Sequence, residues 1–316
     1  MDSVVSLEAG EEVANAAEKN KKPAENMSLR AIFLSSIGSH EYYSPEIWKA
    51  ALTELVATAM LMFTLTTSII ACLDSREPTP KLAVPFAVFF IVFLFLVVTI
   101  PLSGGHMSPV FTFIAALRGV ITLARASVYI PAQCIGSIVG FIIIKIVIDH
   151  SAGQKYSLDS GVSAASALVV EFSCTFLVLF LGVTLAFDKK RCKELGLVVV
   201  CAVVAGAMAV AMFVSITVTG RAGYAGVGLN PARCLGPALL EGGLLWDGHW
   251  VFWAGPFLAC IVYYAVSLNL PREGLVWVEG EYDFFRVSRV CLGGVKAKSS
   301  CGKHIFACDS VPMQEM

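Results

Sequence analysis

Six apolar stretches, at about residues 48–73, 82–102, 126–148, 162–187, 194–217 and 248–270, are each long enough to cross a hydrocarbon core about 30 Å thick as a helix. A chain that carries them has few folds open to it, because inside lipid every backbone N–H and C=O must be satisfied within the protein. The expected class is an all-α membrane protein with six transmembrane helices. Composition agrees: 57% of the 316 residues are hydrophobic and 15% charged, against about 45–50% and about 25% in soluble domains. A net charge of −1 offers no basic surface for a polyanion, so no nucleic-acid partner is expected. Of the ten cysteines, Cys72, Cys134, Cys174, Cys201 and Cys260 lie in or at the ends of apolar runs and no CxxC pair occurs. They read as small hydrophobes, not as a disulfide framework or a metal site, and no cofactor is expected.

Residues 1–47 are polar and read as a tail without a cleavable signal. Residues 48–270 hold the membrane domain, and 271–316 form a second tail. Six spans place both termini on one side. Arg118, Arg125 and the Lys189-Lys190-Arg191-Cys192-Lys193 turn fall on the side of the tails, and only Arg76, Lys81, Lys155 and Arg221 on the other. The excess of positive charge makes the tail side cytoplasmic, and leaves the sequon Asn26-Met27-Ser28 out of reach of glycosylation.

Two further apolar pieces, about 109–118 and about 231–241, are half the length of a span. Each opens on a helix-entry signal, Ser108-Pro109-Val110 and Asn230-Pro231-Ala232, in which a polar residue can cap and proline fits the first helical position. Gly104-Gly105 and Gly226 with Gly228 precede them, supplying irregular backbone that is tolerated at membrane depth only where it is buried or lines a cavity. They read as two re-entrant half-helices. The plain alternative is a pair of loop turns, but it does not explain why two half-length runs stand at matching places in a repeat.

That repeat aligns Glu54-Leu-Val-Ala-Thr58 through Phe63 with Glu171-Phe-Ser-Cys-Thr175 through Phe180 without gaps. Three spans separate equivalent positions, so the halves, about 48–148 and 162–270, are inverted relative to each other. The half-helices then enter from opposite faces with their N-termini meeting near the midplane. Each N-terminus carries about half a positive charge, and paired positive ends repel cations and protons while their free donors serve neutral solutes. The expectation is a channel for uncharged molecules.

At this point the sequence resembles the aquaporins, or major intrinsic proteins, across about residues 48–270. Gly228-Leu-Asn-Pro-Ala-Arg-Cys-Leu-Gly-Pro237 is close to that family's Asn-Pro-Ala-Arg box. Ser103-Gly-Gly-His106, Tyr129-Ile-Pro-Ala-Gln133-Cys-Ile-Gly136 and His249-Trp-Val-Phe-Trp-Ala-Gly-Pro256 support it. The first box departs from the pattern with Ser108-Pro109-Val110, which, with Cys234 directly after the arginine, resembles the plant X intrinsic protein subgroup. The resemblance implies a homotetramer with a pore in each subunit, in the plasma membrane. It also implies a central constriction at Ser108 and Asn230, Gly104, Gly105, His106, Gly226 and Gly228 along the pore, and Arg233 as the cation of a narrow outer filter. The other filter positions carried over are Val88, Val227 and, on the fifth span, Val214, with Ser215 to Thr217 as alternatives.

An intramembrane arginine is expensive and by default functional; Lys145, near a span end, fits a snorkelling residue better. Water-selective members of the family commonly place an aromatic residue and a histidine opposite the arginine, where this chain has valines. Since a polar group that leaves water without a partner loses about 1–3 kcal/mol, the expectation is passage of glycerol, urea, boric acid or hydrogen peroxide with low water permeability. A water channel is the alternative. A secondary transporter is a more distant one, because apart from Glu54, Glu171 and Arg233 no charged set faces a central cavity. No nucleophile, base and orienting acid cluster, so no enzyme is expected. Glu54 and Glu171 are expected to brace the re-entrant loops by accepting their N–H groups. His106 reads as pore lining rather than a pH gate, Cys234 as a redox target or a buried inert cysteine, and Cys291, Cys301, His304 and Cys308 have metal-type ligands at a spacing that fits no common zinc pattern. The aromatic stretch Val276 to Phe285 reads as a segment that docks on the membrane or on the bundle.

Overall fold

In a computed structural model, residues 34, 37–74, 80–148, 163–219 and 226–270 are described. The sequon, the loop charges Arg76, Lys155 and Arg221, the stretch from Val276 to Phe285 and the tail cysteines with His304 lie outside them.

Every regular element among the described residues is a helix: α1 (Pro45–Asp74), α2 (Pro80–Ser103), α3 (Pro109–Leu117), α4 (Leu123–Val147), α5 (Ala164–Ala186), α6 (Lys189–Thr219), α7 (Pro231–Glu241), α8 (Leu244–Asp247) and α9 (Val251–Asn269), with a 3-10 turn at Ser39–Tyr43. Six helices are long and apolar enough to cross a membrane, and they coincide with the six stretches read from the sequence. Phe86, Leu94, Val98 and Leu102 are 61–70% exposed along α2. Such a face is stable when the surrounding solvent is hydrocarbon.

The half-helices α3 and α7 have 9 and 11 residues, about 14 and 17 Å at 1.5 Å per residue, or half a membrane. Alternating crossings put the end of α2, which leads into α3, and the end of α6, which leads into α7, at opposite faces.

The two halves close in the same way. In the first, α4 lies against α1 where a Cβ at Gly136 or Gly140 would run into the carbonyls of Leu55 and Ala59. In the second, α9 meets α5 where a Cβ at Gly255 would stand 2.8 Å from Glu171 Cβ. Small residues let backbones approach where lipid supplies no hydrophobic drive between helices. The symmetry is not complete. Helix α5 contains a π-helical turn, Leu179–Val183, and α6 kinks at Gly196 (φ 76, ψ 162).

Candidate functional site

Each re-entrant loop ends on a capped half-helix. Ser108 Oγ accepts from Val110 N at 3.3 Å, and Asn230 Oδ1 accepts from Ala232 N and Arg233 N at 3.1 and 3.3 Å. Pro109 and Pro231 occupy the first turn, where a missing N–H costs nothing. The amide Asn230 Nδ2 donates to the Met107 carbonyl at 2.8 Å, so the two caps meet. Ser108, Pro109, Val110, Asn230, Pro231 and Ala232 are all buried at this junction.

The residue before each cap, Met107 (φ 45) and Leu229 (φ 55), has left-handed backbone, which costs a bulky side chain about 1–2 kcal/mol. A buried carboxylate holds each in place. Glu54 Oε1 accepts from Ser103 Oγ (2.6 Å) and His106 N (3.1 Å), and its Oε2 from Met107 N (2.6 Å) and Gln133 Nε2 (2.8 Å). Glu171 accepts from Gly228 N (2.6 Å) and Leu229 N (3.2 Å). Both glutamates are fully buried, and each serves the two N–H groups that precede its cap residue.

Sequence reasoning missed the helpers around Glu54. Gln133 also donates to Thr112 Oγ1 (2.8 Å), and Tyr129 OH donates to the Ser103 carbonyl (2.8 Å). Their signal was a glutamine inside an apolar span, since a buried amide has to find partners. Thr112 also meets His106 Nδ1 at 3.1 Å, and the histidine ring packs edge-on to Tyr129.

Two cavities flank the junction. Gly104, Gly105 and His106 line the first with Leu96 and Ile100; Gly228, Leu229, Asn230 and Arg233 line the second with Thr58, Leu61, Leu65, Val88 and Val92. The same two helices wall both. On α2 the ladder is Val88, Val92, Leu96 and Ile100; on α6, running the other way, it is Met212, Met208, Val204 and Val200. Steps of four residues keep one face of each helix on the path, at about 6 Å per step.

Arg233 is 9% exposed, and its Nη1 donates to the carbonyls of Val227 and Gly228, both at 3.2 Å. A Cβ at Gly228 would stand 2.7 Å from Cys234 Sγ and 2.8 Å from Phe252 Cδ1, so the loop needs glycine there. Cys234 is a free thiol packed beside that backbone.

Three of the expected positions, Val214, Val227 and Gly226, stand away from the linings of these two cavities. Val214 is 39% exposed on the outer face of α6, and Met212 lines the cavity instead; two residues are about 200° around a helix. Of the alternatives, Ser215 is buried with Oγ accepting from Val227 N at 2.9 Å, which makes it a support of the second loop. The Thr217 side chain lies outside the described residues. Val227 contributes its carbonyl, while its side chain is buried with Cys174, Val178, Ala207 and Ala211. Gly226 packs on Met212, Ser215 and Ile216 and lines neither cavity. Val88 does line the path. Lys145, read as snorkelling, pairs with Glu241 at 3.0 Å. No group of three or more metal-ligating side chains occurs among the described residues.

The substitution Ser108→Asn introduces an amide where the opposite cap has one. The variant is expected to fold with unchanged thermal stability and to alter permeation rate or selectivity. Size-exclusion profiles together with vesicle flux check this, and loss of assembly would make the position structural.

Six spans, two inverted halves and two capped half-helices meeting between cavities define a multi-pass membrane protein of channel architecture. The chain belongs to the major intrinsic proteins: the family profile described as "Major intrinsic protein" matches residues 41–264. It is similar to Aquaporin TIP1-2 of Zea mays, with 32% identity over 252 residues, 77% of this chain and 95% of that one. It is also similar to Aquaporin TIP1-1 of Arabidopsis thaliana, with 31% identity over 240 residues, 73% of this chain and 92% of the relative. The probable aquaporin PIP2-6 of Oryza sativa is 30% identical over 245 residues, 74% and 85% of the two chains. Among solved structures, the aquaglyceroporin from Plasmodium falciparum superposes with a TM-score of 0.60 at 20% identity, over 71% of this chain and 96% of that one, a likeness of fold.

Proposed function

We propose that this chain is a channel for facilitated diffusion of small uncharged solutes, with glycerol, urea, boric acid and hydrogen peroxide as candidates, and that it conducts water poorly. The observation that carries the reading is the wall opposite Arg233. Leu61, Leu65, Val88, Val92, Met208 and Met212 line that cavity, and none of them offers a strong hydrogen bond. Water crossing there gives up partners at about 1–3 kcal/mol per polar group, whereas a solute with carbon surface leaves part of itself against matching wall. Arg233 and the paired half-helix ends serve as the barrier to protons and cations.

The membrane domain is residues 48–270, with halves of about 48–148 and 162–270, and the flanking tails are cytoplasmic. The working unit is a homotetramer in the plasma membrane, in contact with its lipids. The Ser108-Pro109-Val110 box and Cys234 support placing the chain with the X intrinsic proteins. Stopped-flow light scattering on proteoliposomes tests the selectivity: glycerol flux well above the lipid background with water flux near it is expected. High water flux with glycerol at background would sink the reading and favour a water channel.

A further inference from the structure

Most threonines of α1 and α2 quench their own hydroxyls. On α1, Thr53, Thr64 and Thr67 each donate to the carbonyl four residues back, at 3.1, 2.8 and 2.7 Å, and on α2 Thr99 does the same at 2.7 Å. Thr58, on α1 between them, does not. It is 2% exposed, and its Oγ1 has no hydrogen-bond partner among the described residues. A buried hydroxyl without a partner costs about 1–3 kcal/mol, so its persistence calls for an explanation.

Its position supplies one. Thr58 lies one turn after Glu54, the carboxylate that holds the first loop, and one turn before Leu61, and it lines the second-loop cavity with Asn230 and Arg233. The other polar side chains there cannot accept a solute's hydrogen. Arg233 is a donor only, and Asn230 Oδ1 already accepts from Ala232 N and Arg233 N while its amide donates to Met107. The Thr58 hydroxyl has two acceptor lone pairs and a rotatable donor, and threonine in a helix divides between two χ1 rotamers, so turning it toward the cavity is cheap.

We infer that Thr58 is a solute-contacting residue: its hydroxyl accepts from and donates to the O–H or N–H groups of an uncharged solute in that cavity, forming the acceptor station on an otherwise apolar wall. The inference rests on the channel reading above and names one contact of that same path.

The repeat provides an internal control. Thr175 stands at the same distance from Glu171 as Thr58 from Glu54, and its Oγ1 is likewise buried and without a partner, but it does not line either cavity. The full chain and the variants Thr58→Val, Thr58→Ser and Thr175→Val are reconstituted at matched density, and glycerol and hydrogen peroxide permeabilities are measured. Thr58→Val, nearly isosteric, is expected to lower both about fivefold, the scale of one lost hydrogen bond, with Thr58→Ser and Thr175→Val within about a factor of two of the parent, a span smaller than one such bond. Unchanged flux in Thr58→Val, or an equal fall in Thr175→Val, would overturn the inference while leaving the channel reading intact. A parent protein that passes only water would remove the solute reading instead; the comparison is then made on water flux, and the same selective fall in Thr58→Val is required.

Discussion

Glu54→Leu is expected to prevent recovery of folded protein. Four donors converge on this carboxylate, from Ser103, His106, Met107 and Gln133, at 2.6–3.1 Å, and Glu54 itself is fully buried. Leucine fills the volume and accepts nothing. Ser103 Oγ can fall back on the Thr99 carbonyl at 3.4 Å; the three other donors are stranded at about 1–3 kcal/mol each, so the total of about 3–9 kcal/mol is comparable with the whole stability of a typical domain, about 5–15 kcal/mol. The left-handed Met107 loses its tether at the same time. Detergent-solubilised yield and the size-exclusion profile check this directly. Glu54→Gln keeps one acceptor and should fall between. Glu171→Leu strands the N–H groups of Gly228 and Leu229 and should cost less. Monodisperse Glu54→Leu with a parental melting temperature would show that the carboxylate does not hold the loop.

Arg233→Val is expected to open the channel to protons or small cations while leaving the fold intact. Nη1 bonds two carbonyls of its own loop, so valine leaves acceptors unpaired beside a cavity that water can enter, a modest penalty. The electrostatic change is larger. A unit positive charge about 4 Å from the guanidinium, at an effective dielectric of about 20, is repelled by about 4 kcal/mol, which corresponds to about a thousandfold in rate. A pH-sensitive dye trapped in proteoliposomes reads the leak under a proton gradient. Leak that stays at the lipid background in Arg233→Val would assign exclusion to the paired half-helix ends alone.

Much of this architecture was legible in the sequence because lipid leaves few alternatives. Length alone separated spans from half-spans, and Ser108-Pro109 and Asn230-Pro231 marked where the short pieces begin. The bracing role of Glu54 and Glu171 followed from asking where the N–H groups of an irregular loop could go. The face of α6 was not legible. A helix apolar all round carries no sequence signal for which side is wet, and the count from Asn230 back to the fifth span passes through a loop that has no periodicity to fix the register. That is why Val214 was expected where Met212 stands. Val227 shows a second limit: its position three before Asn230 is right for contact with Arg233, but the contact is made by a carbonyl, which every residue type possesses.

The bond from Asn230 to the Met107 carbonyl joins groups 123 residues apart in the chain. A ribosome adding about 5–20 residues per second needs on the order of ten seconds to bridge that gap. Throughout that interval the first half has been synthesised, yet the carbonyl at the tip of its re-entrant loop lacks its final donor. The first loop, held meanwhile by Glu54 and its donors in the same half, therefore gains its last hydrogen bond only after Asn230 has been made, and a protein truncated before residue 230 lacks the bond that joins the two caps.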